Sequence, residues 1–189
     1  MITCIIVVIT ALFGIFYASN LEWGLHMRIM HRPFFGFTYP YKAHALTHHV
    51  IFGWGKTYTI GNHPKELQEE HIKTIPMAWW NGPVLTIIAA APWVVTVLFG
   101  LWYIPVVIAG AVFGYYLVYE WIHWCMHDPK FRWVEQPRIF RRLNMHHRIH
   151  HKFMGKKNFN VVLPVADWMY GTLQTSLRPA RSVSNRPQK

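Results

Sequence analysis

Long uncharged apolar stretches alternate with polar, basic stretches along this chain, and this pattern predicts its elements. Residues 2–17 carry no charged side chain, and residues 75–119 contain no Lys, Arg, Asp, Glu or His. Because one helix needs about 20 apolar residues to cross a hydrocarbon core about 30 Å thick, the second stretch accommodates two spans and a tight turn. The pattern therefore predicts an integral membrane protein with three spans, at about residues 3–20, 78–99 and 102–122.

The segments outside the spans predict shorter elements. The first helix is expected to continue past the membrane through residues 22–31, and Pro92 is expected to kink the second span. Residues 137–151 alternate bulky apolar and basic side chains at helical spacing, which is typical of a helix in the membrane interface. Residues 176–189 are rich in Pro, Ser and Arg and predict a disordered tail. We expect an all-α membrane bundle, residues 1–175, with a cap of short helices.

The distribution of the basic residues predicts the orientation of the bundle. The formal net charge is +11, and all 19 Lys and Arg lie in two blocks, between Arg28 and Lys73 and between Lys130 and Lys189. The positive-inside rule places both blocks, and with them the cap, on the cytoplasmic side. Since no nucleic-acid-binding motif accompanies this charge, it indicates contact with lipid headgroups rather than with nucleic acid. The small size of the chain favours a bacterial inner membrane.

Histidine is concentrated in the segments assigned to the cytoplasmic side. The 13 histidines occur at positions 26, 31, 44, 48, 49, 63, 71, 123, 127, 146, 147, 150 and 151. Side chains three or four residues apart share one face of an α-helix. Three short-spaced groups meet this test: His44 with His48, His123 with His127, and His147 with His150 and His151. His26 and His31 are five residues apart, which is a poorer match on a straight α-helix.

Ten histidines in four groups at the ends of apolar helices favour metal binding. Imidazole beside hydrocarbon is costly unless it is hydrogen-bonded or bound to a metal. Ten imidazoles are too many for one tetrahedral structural zinc and suit two metals. Imidazole accepts iron, zinc, copper or nickel, so the ligands leave the metal open, and a zinc cluster is the alternative to two irons. His63 and His71 stand apart in a polar loop and are expected to be surface residues.

The order of these groups resembles a known family. HX4H at 26–31, HX3HH at 44–49, HX3H at 123–127 and HX2HH at 147–151 are similar to the histidine boxes of the fatty acid hydroxylase superfamily of membrane di-iron oxygenases. That superfamily includes sterol desaturases and fatty acyl, sphingolipid and carotenoid hydroxylases. Residues 158–172, NFNVVLPVADWMYGT, resemble its NFG…WDxLFGT ending, although Asn160 replaces a usual Gly and Ala166 a usual Trp. These departures limit what the resemblance implies about the substrate pocket.

The resemblance implies a set of metal ligands and of residues that orient them. The implied ligands are His26, His31, His44, His48, His49, His123, His127, His147, His150 and His151. His146 is the alternative to His147, and otherwise it lies behind the ligands or faces outward. Asp128 and Asp167 are candidates to orient a ligand through its second ring nitrogen, as ligating histidines usually require. Asp128 before Pro129 also reads as a helix-ending cap, which we prefer.

The activity that the resemblance implies is hydroxylation of an unactivated C–H bond of a fatty acyl-type lipid. Two iron ions would serve as cofactors, with O2 as co-substrate, although zinc is possible in the isolated protein. A desaturase, a carotenoid or sterol hydroxylase, and a non-catalytic metal-binding protein remain alternatives. Tyr119, Trp121 and Trp124 would line the mouth of a lipid groove or anchor the helix at the interface.

The implied reaction needs two electrons from outside the chain. The sequence has no flavin or nicotinamide fingerprint and no c-type haem motif, so we expect a separate ferredoxin- or cytochrome-type donor with its reductase. Arg138, Arg141 and Arg142 would dock an acidic donor or contact lipid headgroups, and we prefer the headgroups.

Overall fold

Helices build most of the chain that the structure, a computed structural model, describes, which is residues 1–177. The α-helices are α1 (Ile2–Leu25), α2 (Tyr39–Tyr41), α3 (His49–Ile51), α4 (Lys65–Ile72), α5 (Asn81–Ala90), α6 (Tyr103–His127), α7 (Arg138–Phe153) and α8 (Val165–Met169). Two π-helical segments occupy His26–Met30 and Lys42–His48. Four 3₁₀ segments occupy Lys56–Tyr58, Ile60–Asn62, Ala91–Phe99 and Trp133–Glu135.

Three of these helical stretches are long and apolar enough to cross a membrane: Ile2–Met30, Asn81–Phe99 and Tyr103–His127. The predicted all-α membrane bundle with three spans is thereby confirmed. The first and third helices run beyond the predicted spans, as the sequence indicated for the first. Because α1 ends, α5 begins and α6 ends on one side of the bundle, the histidines that follow α1, precede α5 and end α6 gather there. We call this side the histidine end.

Small residues let the spans approach each other closely. A Cβ added to Gly14 of α1 would lie 2.6 Å from the Cβ of Ala111 in α6, so the two backbones are already in contact. A Cβ on Gly82 would collide with the ring of Tyr116, which places α5 equally close to α6. Both α1 and α5 therefore pack along α6.

The second span changes its winding at the predicted proline. Its α-helix ends at Ala90, and 3₁₀ winding continues to Phe99, with Pro92 in the first turn. Because the ring of proline excludes the regular α-helical hydrogen bond, the change of winding at this point has a local cause. Gly100 then adopts a left-handed conformation (φ 75°) and turns the chain into α6, at the position where the tight turn was expected.

Two π-helical segments carry histidines that are five residues apart. The backbone N–H of His31 donates to the carbonyl of His26 at 3.1 Å, and that of His49 donates to the carbonyl of His44. Since a π-helix bonds residue i to residue i+5, side chains at this spacing lie above one another. The spacing of His26 and His31, unsuited to an α-helix, therefore suits the helix that forms.

The remaining elements cover the histidine end. Helix α7 buries Phe140, Leu143 and Ile149 and exposes Arg141 and Arg142, as expected of the amphipathic helix predicted there. Helix α8 packs against α1 and closes the bundle beside the last loop. The predicted disordered tail, residues 176–189, lies outside the described residues from position 178 onward.

Candidate metal centre

The ten histidines of the four boxes form two groups of five. Within each group one ring nitrogen of every member lies within 4.8 Å of those of the other members. The first histidine group consists of His26, His31, His44, His49 and His150, and the second consists of His48, His123, His127, His147 and His151. Nine of the ten side chains are buried, and His31 is half-buried.

Neighbouring residues in the sequence belong to different groups. His48 joins the second group and His49 the first, while His150 joins the first and His151 the second. Consecutive side chains on a helix point in different directions, so one helical turn can serve two centres that lie side by side. The rings of His49 and His151 stack with their centroids 4.2 Å apart, which puts the two groups in direct contact.

The Nε2 atoms of the first group converge on one point. Nε2 of His44 lies 2.8 Å from that of His26 and 3.0 Å from that of His49. Nε2 of His150 lies 3.0 Å from that of His49 and 3.0 Å from that of His31. All five imidazoles thus present the same ring nitrogen to the same small space.

The second group is arranged in the same way. Nε2 of His147 lies 3.2 Å from that of His127 and 3.0 Å from that of His151. Nε2 of His48 and both ring nitrogens of His123 are buried and have no hydrogen-bond partner among the described residues. Buried polar atoms are rarely left without a partner, so this group has a place for one.

Backbone carbonyls hold the outer nitrogen of five of these rings. The Nδ1 atoms donate to carbonyls as follows: His26 to Phe159, His150 to Lys157 (2.9 Å), His48 to Thr74 (3.1 Å), His127 to Tyr58 (2.8 Å) and His151 to Phe52 (2.5 Å). A carbonyl only accepts, so Nδ1 of each ring carries the proton. In a neutral imidazole Nε2 then carries a lone pair, which faces the centre of its group.

The electrostatics of the site favour neutral rings. Burial, followed by electrostatic competition with the neighbouring His150, lowers the pKa of His31 to about 2, and burial lowers the pKa of His48 to about 4. Burial, with the neighbouring histidines, also lowers the pKa of His147 well below its ordinary value. Lone pairs would therefore face one another at about 3 Å, which is repulsive without a cation between them. The residues present fit a metal ion in each group.

Asp167 supports the first group through hydrogen bonds to a neighbouring loop and not through a bond to a ligand ring. One carboxylate oxygen accepts from Nε2 of His146 (3.0 Å) and from the backbone N–H of Asn160 (2.8 Å). The other accepts from the backbone N–H of Phe159 (2.8 Å) and from Oγ1 of Thr172 (2.6 Å). Asp167 thereby fixes the loop whose carbonyls orient His26 and His150, and His146 lies outside both groups.

These bonds also set the charge of Asp167. Burial alone would raise its pKa, but the bonds from His146, Thr172 and the two backbone N–H groups outweigh it and lower the pKa below the ordinary value. Asp167 is therefore an ionised carboxylate in a fully buried position, which makes each of its bonds charge-assisted.

Asp128 occupies the position of a helix-ending cap. It follows the last residue of α6, and its carboxylate pairs with Arg132 (3.4 Å) and Lys130 (3.2 Å) and accepts from the indole of Trp124 (3.2 Å). These contacts anchor the segment after α6, and they agree with the preferred interpretation of this residue.

His63 is not the surface residue that the sequence suggested. Only 7% of it is exposed, since its ring packs on Phe52 with centroids 5.1 Å apart. Its Nε2 donates to the carbonyl of Thr57 (2.8 Å), so its Nδ1 accepts from Nδ1 of His71 (2.6 Å). The pair ties the loop to α4, and both ring nitrogens of His63 have a partner. The polarity of the surrounding residues concealed this burial in the sequence.

A cavity of about 680 Å³ adjoins both histidine groups. Its walls are side chains of α1, α5 and α6, and its histidine end is formed by His26 and His44 of the first group and His48 and His123 of the second. Tyr119 lines the cavity, as expected, whereas Trp121 and Trp124 are not among its described lining residues. This volume and this apolar wall are typical of a small-molecule site.

Glu22 is a residue of this site that the sequence analysis missed. Its carboxylate lines the cavity and accepts from the hydroxyl of Tyr115 (2.6 Å), the backbone N–H of Val161 (2.6 Å) and Nδ2 of Asn160 (2.8 Å). The available signal was its spacing, because Glu22 precedes His26 by one helical turn at the end of an apolar helix. Asn160, where the family usually has Gly, supplies one of these bonds.

Comparison with known proteins agrees with this geometry. A family model described as fatty acid hydroxylase matches residues 11–172, which is most of the chain and includes all ten histidines of the two groups. The chain therefore belongs to the fatty acid hydroxylase family, and the resemblance seen in the histidine boxes is confirmed. No curated protein and no solved structure matches the chain.

Proposed function

We propose that this protein is a membrane di-iron oxygenase that hydroxylates an unactivated C–H bond of a fatty acyl-type lipid. The observation that carries the proposal is the apolar cavity, whose end wall contains histidines of both groups. A lipid chain in this cavity lies against the place where two metals would be held. A metal-storage protein has no need of such a cavity.

Each part of the chain has a definite role in this proposal. The first group would hold one iron and the second group the other, while the carbonyls of Phe159, Lys157, Thr74, Tyr58 and Phe52 fix the orientation of five ligand rings. When bound, the irons would supply the activation of O2 and the oxidation of the C–H bond. The apolar walls exclude water from this reaction and position the carbon that reacts.

The overall reaction requires a partner that delivers electrons. Hydroxylation consumes O2, two electrons and two protons, and yields one alcohol and one water. We infer a separate ferredoxin- or cytochrome-type donor with its reductase. The histidine end carries the basic segments, so we place it at the cytoplasmic face of a bacterial inner membrane. The exposed side chains of Arg138, Arg141 and Arg142 on α7 would contact anionic headgroups there.

The first experiment measures the metal content of the purified protein by elemental analysis, with Mössbauer spectroscopy of protein from iron-57-grown cells. Two spin-coupled irons per chain, and an oxygen atom from ¹⁸O2 in a lipid alcohol, are expected. An alkene product instead would show that the same site catalyses desaturation rather than hydroxylation. Zinc alone, with no product after reconstitution with iron, would refute the oxygenase and leave a metal-binding protein.

A further inference from the structure

We propose that Tyr17 and Ala89 form a floor that sets the length of the lipid chain beyond the oxidised carbon. This inference rests on the proposed function, since it takes the occupant of the cavity to be a lipid chain. The two residues come from different spans, α1 and α5, and both line the cavity. They lie at the opposite end from the histidines, inside the membrane-spanning part of the bundle.

The depth of the cavity follows from the two helices that form its sides. Tyr17 precedes His26 by nine residues on α1, which corresponds to about 13 Å of helix at about 1.5 Å per residue. Ala89 follows Asn81, at the histidine end of α5, by eight residues, or about 12 Å. Both sides thus place the floor at the same depth below the histidines.

The floor is closed by contacts between the two helices. The hydroxyl of Tyr17 donates to the carbonyl of Ala89 at 3.4 Å. The ring of Trp93 packs edge-on against Tyr17 (centroids 6.0 Å apart) and against Phe13 (5.1 Å). These three aromatic rings pack against one another, and Tyr17 is the one of them that lines the cavity. A chain that reaches the floor therefore meets packed rings rather than further space.

The chemistry of the cavity selects its occupant. The lining near the floor is apolar, with Ala18, Ile88 and Val112 beside Tyr17 and Ala89, so that part takes hydrocarbon. An extended alkyl chain advances about 1.25 Å per carbon, given a C–C bond of about 1.5 Å, so about ten carbons fill the depth of about 13 Å. The occupant is therefore an alkyl chain that ends about ten carbons beyond the metal site.

The polar end of the occupant lies at the other end of the cavity. Lys73, exposed at the histidine end, lines the cavity beside Thr74, whose carbonyl holds the ring of His48. A carboxylate beside Lys73 would face a cation, which makes saturated fatty acids of graded length a suitable set of probes.

The test measures which fatty acids the protein binds. The purified full chain, loaded with its metal and kept free of O2, is offered an equimolar series of saturated fatty acids, and native mass spectrometry records the bound lengths. Tyr17→Ala should lengthen the preferred chain by about four carbons, because the removed ring and hydroxyl extend about 5 Å past Cβ. Ala89→Leu should shorten it by about two carbons, because its added branch raises the floor by about 2.5 Å.

Two variants serve as controls. Leu98→Ala shortens an exposed side chain of the span that carries Ala89, beyond the floor, so it should bind the wild-type lengths. Tyr17→Phe keeps the ring and loses only the hydroxyl, so it should shift the preferred length by less than Tyr17→Ala. Equal length preferences in all five proteins, or no preference in any, would overturn the inference. A shifted preference, together with no oxygenated product in the separate ¹⁸O2 experiment, would support the floor and count against the oxygenase. Oxygenated product together with unchanged chain-length preferences would support the oxygenase and count against the floor.

Discussion

Replacing Asp167 by Asn should weaken one metal site and spare the other. The carboxylate accepts four hydrogen bonds, two on each oxygen. The amide keeps one oxygen and turns its NH2 group toward two former donors. Since a hydrogen bond to a charged group contributes about 1.5–3 kcal/mol, the loss of two such bonds costs about 3–6 kcal/mol. The lower value applies when His146 changes its tautomer and recovers part of its bond.

The cost falls on the loop that serves the first group alone. The carbonyls of Phe159 and Lys157, in that loop, orient His26 and His150. The ring-orienting carbonyls of the second group come from Phe52, Tyr58 and Thr74, which have no hydrogen bond to Asp167 among the described residues. Loss of such support typically reduces metal affinity about 10- to 100-fold. We therefore expect one of the two metals to dissociate from Asp167→Asn at about 10- to 100-fold lower chelator concentration than from the wild type.

The assay is a chelator titration followed by elemental analysis of the protein, with circular dichroism to verify that the helices remain. Thr172→Val removes only one of the four bonds and should give a smaller effect in the same direction. Glu135→Gln changes a carboxylate that pairs with Arg132 away from the loop and should behave like the wild type. Parallel loss of both metals from folded Asp167→Asn, or retention of both, would refute the separate support of the two groups.

Three further predictions concern the same centre. His147→Ala should lose metal while the spans still insert. His63→Ala should lose about 1–2 kcal/mol of stability and keep its metal. Metal loss from His63→Ala would show that the ligand assignment is wrong. Gly155→Ala should destabilise the protein by about 1–2 kcal/mol and lower metal content, because φ is +75° there and the new Cβ collides with the ring of His31; an unchanged melting temperature would contradict this. Complete chelation should lower the melting temperature of the wild type, because metal binds the folded state, and restored iron should recover it. A melting temperature that does not change with metal content would contradict the proposed metal site.

The spans and the gathering of histidines could be predicted from the sequence, because composition and spacing carry both. The division into two groups could not. His44 and His48, four residues apart, were expected to share a face, yet they serve different groups. The π-helical winding of the backbone between them decides this, whereas the rule for shared faces applies to a regular α-helix. The carbonyls that orient the rings gave no signal either, because every residue carries one.

The π-helical segments give the spacing of the boxes a physical meaning. In the first group the pairs His26/His31 and His44/His49 are five residues apart and sit on π-helical turns. In the second group the pairs His123/His127 and His147/His151 are four apart and sit on regular α-helix. The spacing of the paired histidines thus matches the winding of the helix that carries them. Deleting one residue between His44 and His49 would leave a spacing of four, so the pair would keep facing one metal only with the segment wound as a regular α-helix.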